Sequence, residues 1–347
     1  MERVMQTIDL RRDTITIPTA EMKDEAFKAP LGDSVYGEDP KQRDLEKVAA
    51  EKLGKEAAIF VPSGTQGNLV ALLTHTERGN EIIVEENAHI RTSETGGASC
   101  VGGLMIKTVY GEDGAPAPEG VEDAIRKNDI HYPRTALICL ESTHYRYGGI
   151  VPPLDQFKKI QNIAVQHKIP VHLDGARIFN SSIYLGVDVK KIARYADSVM
   201  VSLSKGLGAP VGSVLCGTSE FIEKAKRHRK MLGGGMRQTG WLCACGIIAL
   251  SDNNINNLKA DHENAKLLAQ GLSDIPGFTL NLERVHTNFV LAQLHHSKYN
   301  AFSLLEILKI KRILATQADE ATLRFVTSRE IEHNDIVAVI DTIRAIL

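Results

Sequence analysis

Seven short apolar runs, most of them followed by a helical pattern, constrain this chain more than any other feature. They are "AAIFV" (57–61), "EIIVEE" (81–86), "LMIKTV" (104–109), "ALICLES" (136–142), "PVHLD" (170–174), "SVMVSLS" (198–204) and "GSVLCG" (212–217). Between most of them lie "QGNLVALLTHTE", "EGVEDAIRKN", "LDQFKKIQNIAVQHK" and "VDVKKIARYA", whose apolar residues recur at helical spacing. Buried strands joined by helices predict an α/β fold with a mostly parallel seven-stranded sheet covered on both faces, in a large domain over 19–250. After about residue 250 the pattern changes. "DNNINNLKADHENAKLLAQGLS" reads as one long polar helix; "TNFVLAQL", "RILAT" and "ATLRFVT" read as strands, and "YNAFSLLEILK" and "EIEHNDIVAVIDTIRAI" as helices. These predict a small α+β domain over 251–347, on which the partly extended residues 1–18 would pack.

Composition removes several classes of function. Lysine and arginine total 41 against 43 acidic residues, a net charge of -2, so nothing favours a nucleic acid partner. The densest basic run, "KAKRHRK" (224–230), sits in a helical pattern and reads as a solvated face. No apolar run approaches the ~20 residues that cross a bilayer, and "MERVMQTIDLRRD" lacks a signal-peptide core, so no membrane and a cytoplasmic location are expected. Cys100, Cys139, Cys216, Cys243 and Cys245 form no CxxC pair and have no zinc-like histidine spacing. They read as reduced core thiols, with Cys243 and Cys245 packing a helix, and no metal is expected.

In open α/β sheets ligands bind beyond the carboxyl ends of the strands. "VPSGTQGN" (61–68) passes from a strand through Ser63, Gly64 and Thr65 into a helix, which suits either a phosphate or an ordinary helix cap. "HLDGAR" (172–177) brings Asp174 to a strand end with Arg177 three residues on. "SLSKGLGAP" sets Lys205 after another strand, in a turn fixed by glycines and Pro210. Desolvation lowers the pKa of a lysine and leaves a neutral amine able to form a Schiff base. A phosphate cradle, a strand-end aspartate and a strand-end lysine together describe a pocket for pyridoxal 5'-phosphate.

The stretches "YGEDP", "GKEAAIFVPSGTQGNLVAL", "HLDGARIFN", "LSKGLGAPVGSVL" and "RKMLGGGMRQTG" resemble the low-specificity L-threonine aldolases, a group of fold-type-I (aspartate aminotransferase-like) pyridoxal-phosphate enzymes. The resemblance runs from about Ile8 to the chain end. It implies cleavage of β-hydroxy-α-amino acids such as L-threonine and L-allo-threonine to glycine and an aldehyde, and it implies roles residue by residue. Lys205 would carry the cofactor, Asp174 would pair with its ring nitrogen, and Ser63, Gly64 and Thr65 would hold its phosphate. Arg177 would contact the cofactor or the substrate carboxylate. His89 would stack on the ring, His131 would stand near the substrate side chain, and Arg324 would bind the substrate carboxylate. Tyr36 and Arg237 would reach the pocket from a neighbouring subunit, making a homodimer the smallest active unit and a homotetramer the usual assembly.

Three places depart from the family pattern: Arg12 stands where a serine is usual, "ESTHYRYGG" (141–149) replaces a common Asn-Thr-His-Asn, and Ser328 replaces a frequent histidine. His89 and His131 are both candidates for the base that acts on the β-hydroxyl. The same cofactor residues would also serve β-elimination, racemisation or transamination, and a retired scaffold that only binds is the remaining alternative.

Overall fold

The computed structural model describes residues 7–112 and 114–347; the part of the expected N-terminal crossover on residues 1–6 lies outside the described residues. All seven strands form and share one sheet, in the order Ala57–Val61, Ser213–Gly217, Ser198–Ser202, Val171–Asp174, Thr135–Glu141, Glu81–Glu85, Met105–Val109. The last five of that order pair in parallel, because a helix separates their successive strands in most cases. Ser213–Gly217 runs antiparallel to both of its neighbours. Only a short loop joins it to Ser198–Ser202, too little chain for a crossover, so the strand must turn back.

Apolar layers close on the sheet. Ile59, Val61, Met200 and Leu215 pack with Val70 and Ala71 of the helix Gly64–His75 and with Phe221 and Ile222 of the helix Ser219–Met231. Ile82, Val84, Leu137 and Cys139 form a second cluster with Leu72, Ile90 and Leu104. Each fully buried side chain of this kind contributes about 1.5–3 kcal/mol. Met105–Val109 departs from the buried strand expected there, since it ends the sheet and Met105 is 51% exposed. The motif "EDP" proves to be a helix start: Pro40 opens the helix Pro40–Leu53, and Asp39 accepts from Gln42 N at 3.0 Å and Gly240 N at 2.8 Å, tying two helices with one carboxylate.

Two compact units divide the chain, one of 17–147 with 151–255, the other of 148–150 and 256–347 with the described residues of 1–16. The second unit holds a four-stranded antiparallel sheet, Thr316–Gln317, Thr322–Val326, Phe289–Leu294, Phe278–Thr279. Ile8–Asp9 pairs in parallel with Ile313–Leu314, so "RILAT" contributes to two sheets rather than one. The single polar helix expected over 252–273 is broken into Asp252–Asn256 and Leu258–Ser273. Asparagine side chains compete for backbone groups, and Asn254 Nδ2 donates to the carbonyls of Leu207 and Ala249, both at 3.0 Å.

Two further expectations are corrected. Cys100 is exposed, whereas Cys139, Cys216, Cys243 and Cys245 are buried. The basic run 224–230 is not wholly solvated: Arg229 turns inward and donates to the Phe60 carbonyl at 2.7 Å.

Candidate active site

The chain moves outward from Glu81–Glu85 to Met105–Val109 and then returns past it to Thr135–Glu141, so strand order reverses between Glu81–Glu85 and Thr135–Glu141. At this reversal the helices leave the strand ends on opposite faces and open a crevice. Three buried carboxylates, Glu85, Glu141 and Asp174, end neighbouring strands at its mouth.

Two of the three are satisfied locally. Glu85 accepts from Asn87 N at 2.7 Å and Tyr147 Oη at 3.0 Å and lies 2.9 Å from His144 Nε2. Glu141 accepts from His89 N at 2.7 Å and Tyr145 N at 2.8 Å. Burial opposes a charge on His144, but Glu141 and Glu85 outweigh it and leave its pKa raised.

Asp174 belongs to another cluster. Its Oδ1 accepts from Ala176 N at 3.1 Å and its Oδ2 from Asn68 Nδ2 at 2.8 Å. Asn68 also donates to Glu94 Oε1 at 2.7 Å, and His89 Nδ1 meets that same oxygen at 2.9 Å. Polar atoms of His89, Glu94 and Asp174 all lie within 4.8 Å of one another. Burial disfavours charge on His89, yet the Glu94 hydrogen bond with the Asp174 and Glu141 charges raises its pKa; burial likewise raises that of Glu94. The pair therefore keeps its proton to a higher pH than a free imidazole does. Tyr145 stands beside this cluster, its ring edge-on to His89 with centroids 6.1 Å apart and the Arg177 guanidinium 5.7 Å from its own centroid.

Lys205 follows the strand adjacent to that of Asp174, in register with it through Asp174 and Met200. Its loop is tight: Gly208 N donates to the Lys205 carbonyl at 2.8 Å, and Leu203 pairs with both Ala209 and Gly212. Ser63 caps the helix Gly64–His75 by accepting from Gln66 N at 3.1 Å, which leaves the amides of Gly64 and Thr65 at its positive end. Ser213 Oγ is buried, has no hydrogen-bond partner among the described residues, and lies 3.6 Å from where a Cβ on Gly64 would be. An orphaned hydroxyl beside a glycine at a helix start is the arrangement a bound phosphate completes. The donor set thus fits pyridoxal phosphate.

Of the residues expected from sequence, the structure gathers Ser63, Gly64, Thr65, His89, Asp174, Arg177 and Lys205 in the larger unit at the strand ends. His131 is instead in an exposed turn, its Nδ1 2.6 Å from Asp129 Oδ1, outside the buried cluster. Tyr36 is 76% exposed, and the Arg237 guanidinium bonds Asp33 at 3.2 Å, while Ser34 N donates to the Arg237 carbonyl at 3.1 Å; their loops are joined on one surface. Arg324 belongs to the smaller unit, where its Nε donates to Thr316 Oγ1 at 3.2 Å. Asn68, Glu94, Tyr145 and Ser213 escaped the sequence reading. For Asn68 a signal existed, an amide inside the otherwise apolar "GNLVALL".

A mostly parallel α/β sheet with a lysine and an aspartate on adjacent strand ends defines the fold-type-I class of cofactor-dependent enzymes. Residues 9–296 match the family described as Beta-eliminating lyase. The chain is 46% identical to Low-specificity L-threonine aldolase 1 of Arabidopsis thaliana over 338 residues, 96% of this chain and 94% of that one. It is 41% identical to Low specificity L-threonine aldolase of Escherichia coli (strain K12) over 341 residues, 98% of this chain and 99% of that one. The solved threonine aldolase of Leishmania major shares the fold, with a TM-score of 0.86 at 19% identity, over 98% of this chain and 99% of that one. The chain belongs to the low-specificity L-threonine aldolase family, a group of carbon–carbon lyases.

Proposed function

We propose that the protein cleaves L-threonine and L-allo-threonine to glycine and an aldehyde, using pyridoxal 5'-phosphate. The observation that carries this reading is Asp174 at the end of one strand, Lys205 in the loop after the adjacent strand, and a helix start at Gly64 beside the Ser213 hydroxyl, which among the described residues has no hydrogen-bond partner. Lys205 would hold the cofactor covalently, the amides of Gly64 and Thr65 with Ser63 and Ser213 its phosphate, and Asp174 its ring nitrogen. When bound, the cofactor supplies an electron-poor ring that accepts the electron pair released from the Cα–Cβ bond.

The chain's own residues choose that bond and move the proton. Arg177, 8% exposed at the start of the helix Ile178–Leu185, offers a guanidinium to a carboxylate. Fixing the carboxylate orients Cα–Cβ for cleavage. His89 Nδ1 is engaged by Glu94, which leaves Nε2 to take the β-hydroxyl proton. Asp174, held by Asn68 and Ala176, would face the ring nitrogen and help keep its proton in place.

Tyr36 and Arg237, on one exposed surface, serve the site of a neighbouring copy. Phe27, Leu31, Val35 and Trp241 are also exposed, and apolar surface of that extent favours a homo-oligomer of at least two subunits. Among the described residues no helix is long and apolar enough to cross a membrane; free thiols at all five cysteines suit the cytoplasm.

The test is steady-state turnover of L-threonine, L-allo-threonine and L-serine by the purified protein with added pyridoxal phosphate. Aldehyde from the first two, coupled to alcohol dehydrogenase, is the expected result. Oxo acid from serine or threonine without aldehyde would replace the aldolase reading by β-elimination.

A further inference from the structure

Behind Asp174 four polar side chains run through the apolar interior of the larger unit. His75 Nε2 lies 2.8 Å from Ser198 Oγ, Ser198 Oγ 2.9 Å from His172 Nδ1, and His172 Nε2 3.1 Å from Asn68 Oδ1. Asn68 Nδ2 reaches Glu94 at 2.7 Å and Asp174 at 2.8 Å. Asn68, His172 and Ser198 are fully buried.

Chemistry allows one order of protons along this line. An ionised carboxylate only accepts, so the Asn68 end facing Glu94 and Asp174 is its NH2, and the carbonyl faces His172. That carbonyl needs a donor, so His172 carries its proton on Nε2. Burial, with His75 nearby, pushes the His172 pKa down to about 3, so its Nδ1 is an acceptor at neutral pH. The Ser198 hydroxyl must then donate to His172 and accept from His75 Nε2. His75 is also neutral, its pKa lowered by burial to about 4.

We propose that His75, Ser198, His172 and Asn68 form a proton-ordered chain in which every donor points toward Asp174 and Glu94, and that Asn68 and His172 are positioning residues that hold the two carboxylates side by side. Two carboxylates in such proximity repel, and the one NH2 that bridges them offsets the repulsion only while its carbonyl is pinned from behind. His172 pins it: a flipped amide would set oxygen against two carboxylates and NH2 against an N–H. Each link polarises the next, so the effect of the chain arrives at Asp174. The geometry stands by itself, while its consequence for catalysis rests on the proposed aldolase activity.

Nitrogen-15 NMR of the purified full-length protein reads the proton order directly. The expected spectrum shows neutral His172 protonated on Nε2 between about pH 6 and 8. An Nδ1-protonated or doubly protonated ring would overturn the proposal. A second measurement compares His172→Phe with His172→Gln, whose amide still donates to Asn68. H172F is expected to lower kcat about tenfold with KM within about threefold, and to weaken protonation of the ring nitrogen of 15N-labelled pyridoxal phosphate; H172Q restores both. Equal kcat and equal ring-nitrogen signals in the two variants would overturn it as well. Should the protein take up no pyridoxal phosphate, the aldolase reading fails, and the tautomer of His172 still decides the chain.

Discussion

Lys205 sits where the strand Ser198–Ser202 has ended and the next has not begun, in a loop closed by the Gly208 and Ala209 amides. A lysine so placed has its Cα fixed by the loop's backbone bonds. Lys205→Ala is expected to abolish threonine cleavage and the borohydride-stable cofactor adduct, read by mass spectrometry; turnover near the native rate would refute its role. Asp174→Asn keeps the shape and removes the charge, with an expected loss of ~10² fold or more in kcat. A different carboxylate offers a test by pH. Burial, then the nearby Asp13, raises Asp261 to about 7, while Arg329 partly opposes them. Its unfolded pKa is about 3.9, so between these values the folded state binds the extra proton. The stability this gives is present at low pH and is lost as pH rises toward about 7. Asp261→Asn should therefore gain over the native protein between about pH 5 and 8, by about 1–3 kcal/mol in urea unfolding at the higher pH. A gain that does not depend on pH would contradict the shift.

Among the elements, the hairpin from Ser198–Ser202 to Ser213–Gly217 turns at a glycine with no room for a side chain. Gly212 has φ +104, and a Cβ there would lie 2.3 Å from Phe60 Cε2 in the core. Gly212→Ala is expected to cost about 2–4 kcal/mol and to lower Tm by several degrees, because strained backbone and overpacking add. A native Tm would show that the turn relaxes freely. Ser213, next in the chain, should behave in the opposite way. Its hydroxyl has no partner among the described residues, so Ser213→Ala should leave Tm unchanged while weakening pyridoxal phosphate binding about tenfold by titration. Unaltered cofactor affinity would remove Ser213 from the phosphate site. Strands of this size were legible because they are buried on both faces and read as unbroken apolar runs. The break at Asn257 was not, since helical spacing continues through it and only the Asn254 side chain, bonded to two carbonyls, competes with the helix.

For the molecule as a whole, the proposed sharing of sites predicts that two inactive chains repair one another. Lys205→Ala mixed with Tyr36→Ala by unfolding and refolding should recover part of the native activity, since one site in the hybrid would be intact in both residues. Recovery absent from a mixture that refolds as an oligomer would confine each site to one chain. The sequence alone determined the sheet and the placing of a lysine, an aspartate and a glycine-rich helix start after its strands, because each follows from local patterns that burial and turn chemistry impose on neighbouring residues. Tertiary structure decided which remote side chains meet that edge. Asn68 beside Asp174, Tyr145 beside Arg177, and the line from His75 to His172 join residues far apart in the chain, and a hydrogen bond across an interior depends on where the strands stack, which no single segment encodes.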